Sequence, residues 1–219
     1  MELIGAIVRL QVQRSSLKLG ERPRRWFDPA PLAQVVSLEL EESGVVGTTT
    51  DGERILDVHN RRHPESRFGV DNGLSVGFTS HYERMQDRFG ERIVEGIAGE
   101  NVVVRTEREF RRDELPAEVV LETAKGRTHL VGVRVAEPCV EFSRYALGIG
   151  VGGPPEHDLP TAAEHHAADL SGSDAGGPGR PDPRVKEALQ FLRRGMRGYY
   201  ATYAGGPAVL RIGDRLLLP

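Results

Sequence analysis

The chain carries one cysteine, Cys139, and it closes the segment Ala136-Glu137-Pro138-Cys139 just after an apolar run. One cysteine forms no internal disulfide and builds no multi-cysteine zinc or iron–sulfur site. A side chain at the end of a strand is well placed to face a pocket. Two uses stay open from composition: a small buried hydrophobe, the commoner fate, or a thiolate held by nearby cations such as Arg144. A second candidate is Gly99-Glu100-Asn101, where glycines at 96 and 99 let the backbone pass close to a ligand and asparagine offers both donor and acceptor. An ordinary tight turn entering a strand explains the same residues. A third is Asp57-Val58-His59 with His63. Pro64 and the surrounding arginines oppose a regular helix there, and two histidines without a third ligand do not make a zinc site. Polar loop residues hydrogen-bonding to one another are the simpler reading. Arg61, Arg62 and Arg67 suit an anion through guanidinium–phosphate pairing, or form a solvated face.

These groups need a scaffold, and the apolar pattern supplies one. Ile4, Ala6, Val8, Leu10 and Val12 share one parity, the period of a strand with one buried face. Shorter runs follow at 36–40, 102–104, 119–121 and 131–135, with a last one from Ala208. Ala124-Lys125-Gly126-Arg127 reads as a hairpin turn, and Gly213-Asp214 as a second turn. Two helices are expected. Ser80 with Glu83 fits a capping box, Tyr82, Met85 and Phe89 give the buried stripe, and Gly90 the stop. Asp182 and Pro183 start another, with Val185, Ala188, Leu189 and Leu192 buried and Gly195 at its end. The fold expected is mainly β, a barrel with helical decorations, in a single domain over 1–219. Residues 148–183 hold eight glycines and six prolines and read as a long insertion or mobile loop. Within it His157, His165 and His166 lack any fixed geometry, and a solvated loop is expected there rather than a metal site.

Composition bounds the function. Of 219 residues 38% are hydrophobic and 28% charged, as in soluble globular proteins. The net charge of −3 draws neither nucleic acid nor an anionic membrane. Trp26 beside Arg22, Arg24 and Arg25 lacks any repeated aromatic–basic pattern, so Trp26 and Phe27 are expected to pack on the barrel. The opening MELIGAIVRLQVQR has no basic n-region and breaks at Arg9, unlike a signal peptide. No run approaches the roughly 18 apolar residues of a membrane span. A cytoplasmic protein without nucleic-acid or membrane partners is expected.

Four stretches, in order, carry a resemblance. They are Asp57-Val58-His59-Asn60 after the glycines at 44 and 47; the helix from Ser80 to Gly90 followed by Gly96-Ile97-Ala98-Gly99-Glu100-Asn101; Glu137-Pro138-Cys139 with Arg144; and Arg197-Gly198-Tyr199-Tyr200-Ala201 with Gly213-Asp214-Arg215-Leu216. Together they resemble the MOSC family, named for the C-terminal domain of molybdenum-cofactor sulfurases. The Gly-Glu-Asn and Pro-Cys pairing is the specific part. The resemblance implies a mixed-strand β-barrel akin to the barrel domain of pyruvate kinase. It implies molybdenum cofactor (molybdopterin) as ligand, with Cys139 as a sulfur carrier or a molybdenum ligand. Gly99, Glu100, Asn101, Asp57, His59, Arg67 and Arg144 are then the cofactor-binding candidates, the arginines holding the pterin phosphate. The family also implies a sulfur donor or an electron-transfer protein as partner and a small-molecule substrate. A reductase of N-hydroxylated compounds and a non-catalytic module with a decayed site are the alternatives. The oligomeric state is left open.

The chain departs from the family where relatives often show a His-Gly-Gly loop and it has His59-Asn60-Arg61-Arg62-His63-Pro64. Larger relatives join this domain to a pyridoxal-phosphate desulfurase, which needs a lysine for its Schiff base. Of 29 basic residues only Lys18, Lys125 and Lys186 are lysine. They fall in an N-terminal loop, a hairpin turn and near a helix start, none expected in a pocket. Pyridoxal phosphate is therefore not expected in this chain.

Overall fold

The computed structural model describes residues 1–153, 182–203 and 205–219. The opening alternation becomes β1 (Glu2–Gln13), followed by β2 (Lys18–Leu19), β3 (Trp26–Phe27) and β4 (Leu32–Gln34). Next come β5 (Ser37–Glu41), β6 (Gly44–Thr48), β7 (Arg54–Leu56) and β8 (Leu74–Phe78). β8 runs without a loop into α1 (Thr79–Phe89), and β9 (Val102–Arg105), β10 (Glu118–Thr123) and β11 (Gly126–Val135) lead to α2 (Val140–Ala146). The last elements are α3 (Pro183–Phe191), β12 (Tyr199–Tyr203), β13 (Ala208–Arg211) and β14 (Arg215–Leu218).

Seven strands close into a barrel in the order β14-β10-β11-β12-β8-β9-β1, with β1 pairing back to β14. Every pair is antiparallel except β8–β9, which α1 connects as a parallel crossover. The mainly β, mixed-strand barrel read from the sequence is thus the fold. The far end of β1 runs on to pair with β4, and a four-stranded sheet, β13-β5-β6-β7, lies outside the barrel ring. Barrel closure leaves no edge among those seven strands and buries a core from Ile4 and Leu10 round to Leu216.

Several local expectations are corrected by packing. The parity of β1 is not constant: its ladder slips between Leu3 and Gly5 against β14 and between Ile7 and Arg9 against β9. Each slip inverts the faces, so Ile4, Ile7, Leu10 and Val12 reach the barrel core while Val8 packs outside it. Ser80 does not cap α1. The helix begins at Thr79 after Phe78, with no side-chain cap, because its first-turn polar groups hold a neighbouring loop instead. Thr79 Oγ1 bonds both the carbonyl and the N–H of Thr106, Ser80 Oγ donates to the Arg108 carbonyl, and His81 Nε2 accepts from the Phe110 N–H. Asp182 does cap α3, accepting from the Arg184 N–H, and the positive φ of Gly195 kinks the π turn that follows. The Ala124 turn does join β10 to β11, whereas Gly213-Asp214 carries the chain from the outer sheet back to the barrel.

The segment after Pro138 forms a third helix, α2, beyond the two expected, and it organises a second apolar cluster. Phe142 and Phe27 meet edge to face at 5.1 Å, with Tyr82, Met85, Val103 and Leu192 around them. The strand of Trp26 and Phe27 packs against α2, and Phe27 lies in a cluster that includes Val103 and Val8 on the outer face of barrel strands β9 and β1. No helix among the described residues is long and apolar enough to cross a membrane. Most of the expected insertion, residues 154–181 with His157, His165 and His166, lies outside the described residues.

Candidate functional site

A cavity of about 270 Å³ opens where the end of β11, the start of α2, the loop before β9 and the loop before β12 meet. Cys139 lines it from the N-cap position of α2, just before Val140. Its extended backbone (φ −116°, ψ 156°) ends the strand run, its carbonyl accepts from Ser143 Oγ at 2.9 Å, and its Sγ accepts from the Phe142 N–H at 3.5 Å. The thiol is half-buried and lines the cavity.

Gly99 and Glu100 form the facing wall. Gly99 has φ 97°, and a Cβ there would lie 2.7 Å from Leu17 and 2.9 Å from Gln13, so a side chain is excluded on two counts. Gln13 Nε2 instead donates to the Gly99 carbonyl at 2.8 Å. Glu100 is 2% exposed, and Tyr82 Oη donates to its Oε2 in a short hydrogen bond. Burial pushes the Glu100 carboxyl above the usual carboxylate range, with Arg197 and Tyr82 acting against that.

Arg197 lies 3.7 Å from Glu100 Oε1, donates to the Ala98 carbonyl at 2.8 Å, and spreads over the Phe142 ring at 4.4 Å. Burial works against its charge, but the fields of Glu100 and then Cys139 outweigh that and hold the guanidinium protonated. Arg197 is thus the cation beside the sulfur. Its position depends on Gly198 at φ 78°, where a Cβ would come within 2.4 Å of the Val76 carbonyl oxygen. Two buried atoms here have no hydrogen-bond partner: Glu100 Oε1 and Arg197 Nε. Buried polar atoms are rarely left so, and both belong to residues that line one cavity.

Asp57 and Asn101 lie beneath the wall. The buried Asp57 carboxylate accepts four hydrogen bonds: from the N–H of Gln13 and Asn101 Nδ2 on one oxygen, and from the N–H and Nδ1 of His59 on the other. Asn101 also accepts from Ser75 and donates to the Gln11 carbonyl, so its amide is fully used in cross-bracing β1, β8 and the loop before β9. His59 and Arg67 line the cavity; His63 instead bonds the Arg14 carbonyl. Of the arginine patch, Arg62 pairs with Glu41 and Arg61 covers Phe68, while Arg67 makes no side-chain bond among the described residues.

The structure therefore brings Cys139, Gly99, Glu100, His59 and Arg67 to one cavity and puts Asp57 and Asn101 directly behind it. Arg144, in the last turn of α2, is not among the cavity's lining residues. Sequence reasoning missed Arg197 as the cation, although Arg197-Gly198 stood among the residues quoted for the resemblance. It also missed Gln13, Ser75 and Tyr200, which line the cavity from β1, β8 and β12. Tyr82 was read as core stripe, and its ring is core while its hydroxyl serves the site. The placement of Lys18 is corrected: it lies on β2 and lines the cavity. No group of three metal-ligating side chains exists among the described residues. A wider groove of about 650 Å³ between residues 109–114 and the end of α3 is lined by exposed arginines and acids, several already ion-paired.

No family model matches the chain, and no curated protein matches it. Among solved structures it is similar to the YuaD protein from Bacillus subtilis, at 11% identity and a TM-score of 0.46 over 97% of this chain and 96% of that one. A hypothetical protein matches at 14% identity and 0.45, over 97% of this chain and 67% of that one. YiiM from Geobacillus stearothermophilus matches at 13% identity and 0.43, over 100% and 74%. Likenesses at this level say nothing of chemistry.

Proposed function

We propose that this chain is a MOSC-family protein that holds the molybdenum cofactor in the Cys139 cavity and uses Cys139 to carry sulfur or to ligate the metal. The observation that carries the reading is convergence. Residues from each of the four stretches line one cavity: His59, Ala98 to Glu100, Glu137 with Cys139, and Arg197 with Tyr200. Nothing in the packing of an inert barrel requires a thiol, a buried carboxyl and a buried guanidinium to share one opening.

The residues present fit such a group. Cys139 offers a soft sulfur donor beside the charged Arg197. Glu100 Oε1 and Arg197 Nε are an unmet acceptor and an unmet donor, as the polar edge of a pterin would answer. Arg67 and Lys18 also line the cavity and suit a phosphate. When bound, the cofactor supplies a redox-active metal. In sulfur carriage, the Cys139 thiolate attacks the outer, sulfane sulfur of a donor persulfide, the donor's S–S bond breaks and its thiolate leaves, and an attacking acceptor then takes the terminal sulfur of the Cys139 persulfide and releases the Cys139 thiolate.

Elemental analysis of protein from a cofactor-producing host tests the reading. Molybdenum near one per chain, lost in Cys139→Ser, is expected for metal ligation. A cyanide-releasable persulfide on Cys139 without metal is expected for sulfur carriage. Finding neither refutes both.

A further inference from the structure

Glu137 belongs to two places at once. It lines the Cys139 cavity, and its carboxylate pairs with Arg112 and, at 3.5 Å, with Arg193, two arginines of the wider groove between residues 109–114 and the end of α3. One side chain thus joins groove and cavity. The groove's two walls are fixed to the barrel and to each other. Tyr199 Oη donates to the Phe110 and Arg111 carbonyls, and Ser80 and His81 hold the same loop from α1. The π turn that forms the other wall passes so close that a Cβ on Gly195 would lie 2.8 Å from the Phe110 carbonyl oxygen, and Arg112 reaches the Arg193 carbonyl at 3.5 Å.

The charge of this groove runs against that of the molecule. The chain carries −3 overall, yet arginines 84, 111, 112, 193 and 194 outnumber the acids Glu109, Asp113 and Glu114 along the groove. Arg84 is taken by Glu109 at 3.3 Å, and Arg112 and Arg193 share the single carboxylate of Glu137. The exposed guanidinium groups of Arg111 and Arg194 have no partner among the described residues. A guanidinium fork on a rigid wall is shaped for a carboxylate, which it takes through two parallel hydrogen bonds. The three acids set among the arginines oppose a continuous polyphosphate backbone, whereas a protein segment can answer them with basic residues of its own. We propose that this groove is the docking surface for an acidic segment of a partner protein, whose carboxylates pair first with Arg111 and Arg194. The link to chemistry rests on the Cys139 cavity being the working site: a partner docked here lies against Glu137, two positions before Cys139.

A fluorescein-labelled peptide of alternating glutamate and alanine is the probe, titrated with the full chain at pH 7.5 and low salt and read by fluorescence anisotropy. Binding is expected, and it should weaken as salt is raised, because the contacts are exposed charge pairs. The double variant Arg111→Gln, Arg194→Gln should weaken it about tenfold, the size of two such pairs lost together. The double variant Arg54→Gln, Arg127→Gln removes the same charge from exposed sites on β7 and β11 and should leave binding unchanged. Cys139→Ser should bind as the wild type does, so the result does not depend on molybdenum or a persulfide. No binding by the wild type, or equal weakening by the two double variants, overturns the docking assignment and leaves the cavity reading intact. A single-stranded oligonucleotide of the same charge that binds more tightly than the peptide, and loses affinity without Arg111 and Arg194, overturns it in favour of nucleic acid. Peptide binding that follows the expected pattern in a chain with neither molybdenum nor persulfide upholds the docking surface and overturns the cavity reading alone.

Discussion

Replacing Arg197 by methionine removes a guanidinium but keeps an unbranched side chain of similar reach over Phe142. The ion pair it breaks spans 3.7 Å to Glu100 Oε1, between side chains 11% and 3% exposed. At an effective dielectric of about 20, a pair at that separation attracts by about 4 kcal/mol. That attraction largely offsets the desolvation of both groups, so its loss leaves Glu100 as an uncompensated buried charge. Breaking a buried pair from one side costs about 3–5 kcal/mol. Glu100→Gln should cost less, because an amide oxygen in the place of Oε2 can still accept from Tyr82, and the remaining guanidinium keeps the Ala98 carbonyl and its place over Phe142. The double variant should be more stable than the two single costs predict, by about 2 kcal/mol.

Urea unfolding of the four proteins at pH 7.5 gives the coupling directly, read from midpoints at constant slope. The same variants carry a functional readout. Without Arg197 the cavity loses a buried cation that Cys139 also lines, so the rate of iodoacetamide alkylation of Cys139 at pH 7.5 should change while that of Glu100→Gln, which keeps the guanidinium, changes less. Single-variant costs that add to within about 0.5 kcal/mol refute the reasoning, because the pair would then be two independent groups that happen to lie close.

Two further outcomes follow from the packing. Burial lowers His81 to about 4 from its ordinary 6.5, so the folded chain holds it neutral while the unfolded chain takes up a proton. Stability from this residue is complete above about pH 6.5 and is lost as pH falls toward 4, by about 3 kcal/mol in all. In His81→Gln, whose amide oxygen can still accept from the Phe110 N–H, urea midpoints between pH 8 and 5 should fall less steeply; an unchanged slope refutes the assignment. Gly198→Ala places a Cβ 2.4 Å from the Val76 carbonyl, whereas Gly213→Ala meets nothing within 4 Å at a similarly positive φ. Gly213→Ala should therefore cost about 1–2 kcal/mol in unfolding experiments and Gly198→Ala distinctly more, and equal costs would show that the loop carrying Arg197 moves freely.

What could be read from the sequence was local. The runs at 102–104, 119–121 and 131–135 announce barrel strands because each needs only its own period to be recognised. The turn at Lys125 and the cap at Asp182 are likewise short-range chemistry. The errors arise where a distant partner decides. Ser80 has every local reason to cap α1, yet the loop at 106–110 offers its side chain an outside carbonyl and the helix starts two residues earlier, at Thr79 after Phe78. β1 loses its parity because two neighbours, β14 and β9, each require their own register. α2 escaped notice because Val140 to Ala146 is short and its apolar face is set by Phe27, more than a hundred residues away. The same holds at the site, where Arg144 is close to Cys139 in sequence and Arg197 is close in space.

That contrast bears on what makes Cys139 more than a small hydrophobe. Its sequence neighbours supply only the entry to α2 and one long N–H contact from Phe142. The cation whose charge interacts with the sulfur is Arg197, set by a turn that Gly198 permits and under the constraint of Glu100. Glu100 is in turn held by Tyr82 from α1, and Gly99 by Gln13 from β1. A thiol that served only to fill space would need none of these. The fold instead leaves Glu100 Oε1 and Arg197 Nε unsatisfied beside the sulfur, a local cost of the kind that a bound polar group repays. Arg197 belongs to the loop entering β12 and Glu100 to the loop entering β9, so filling that gap would tie together two elements that both border β8. The ligand that satisfies those two atoms would then act as a part of the barrel wall, and its removal should be felt in stability as well as in chemistry.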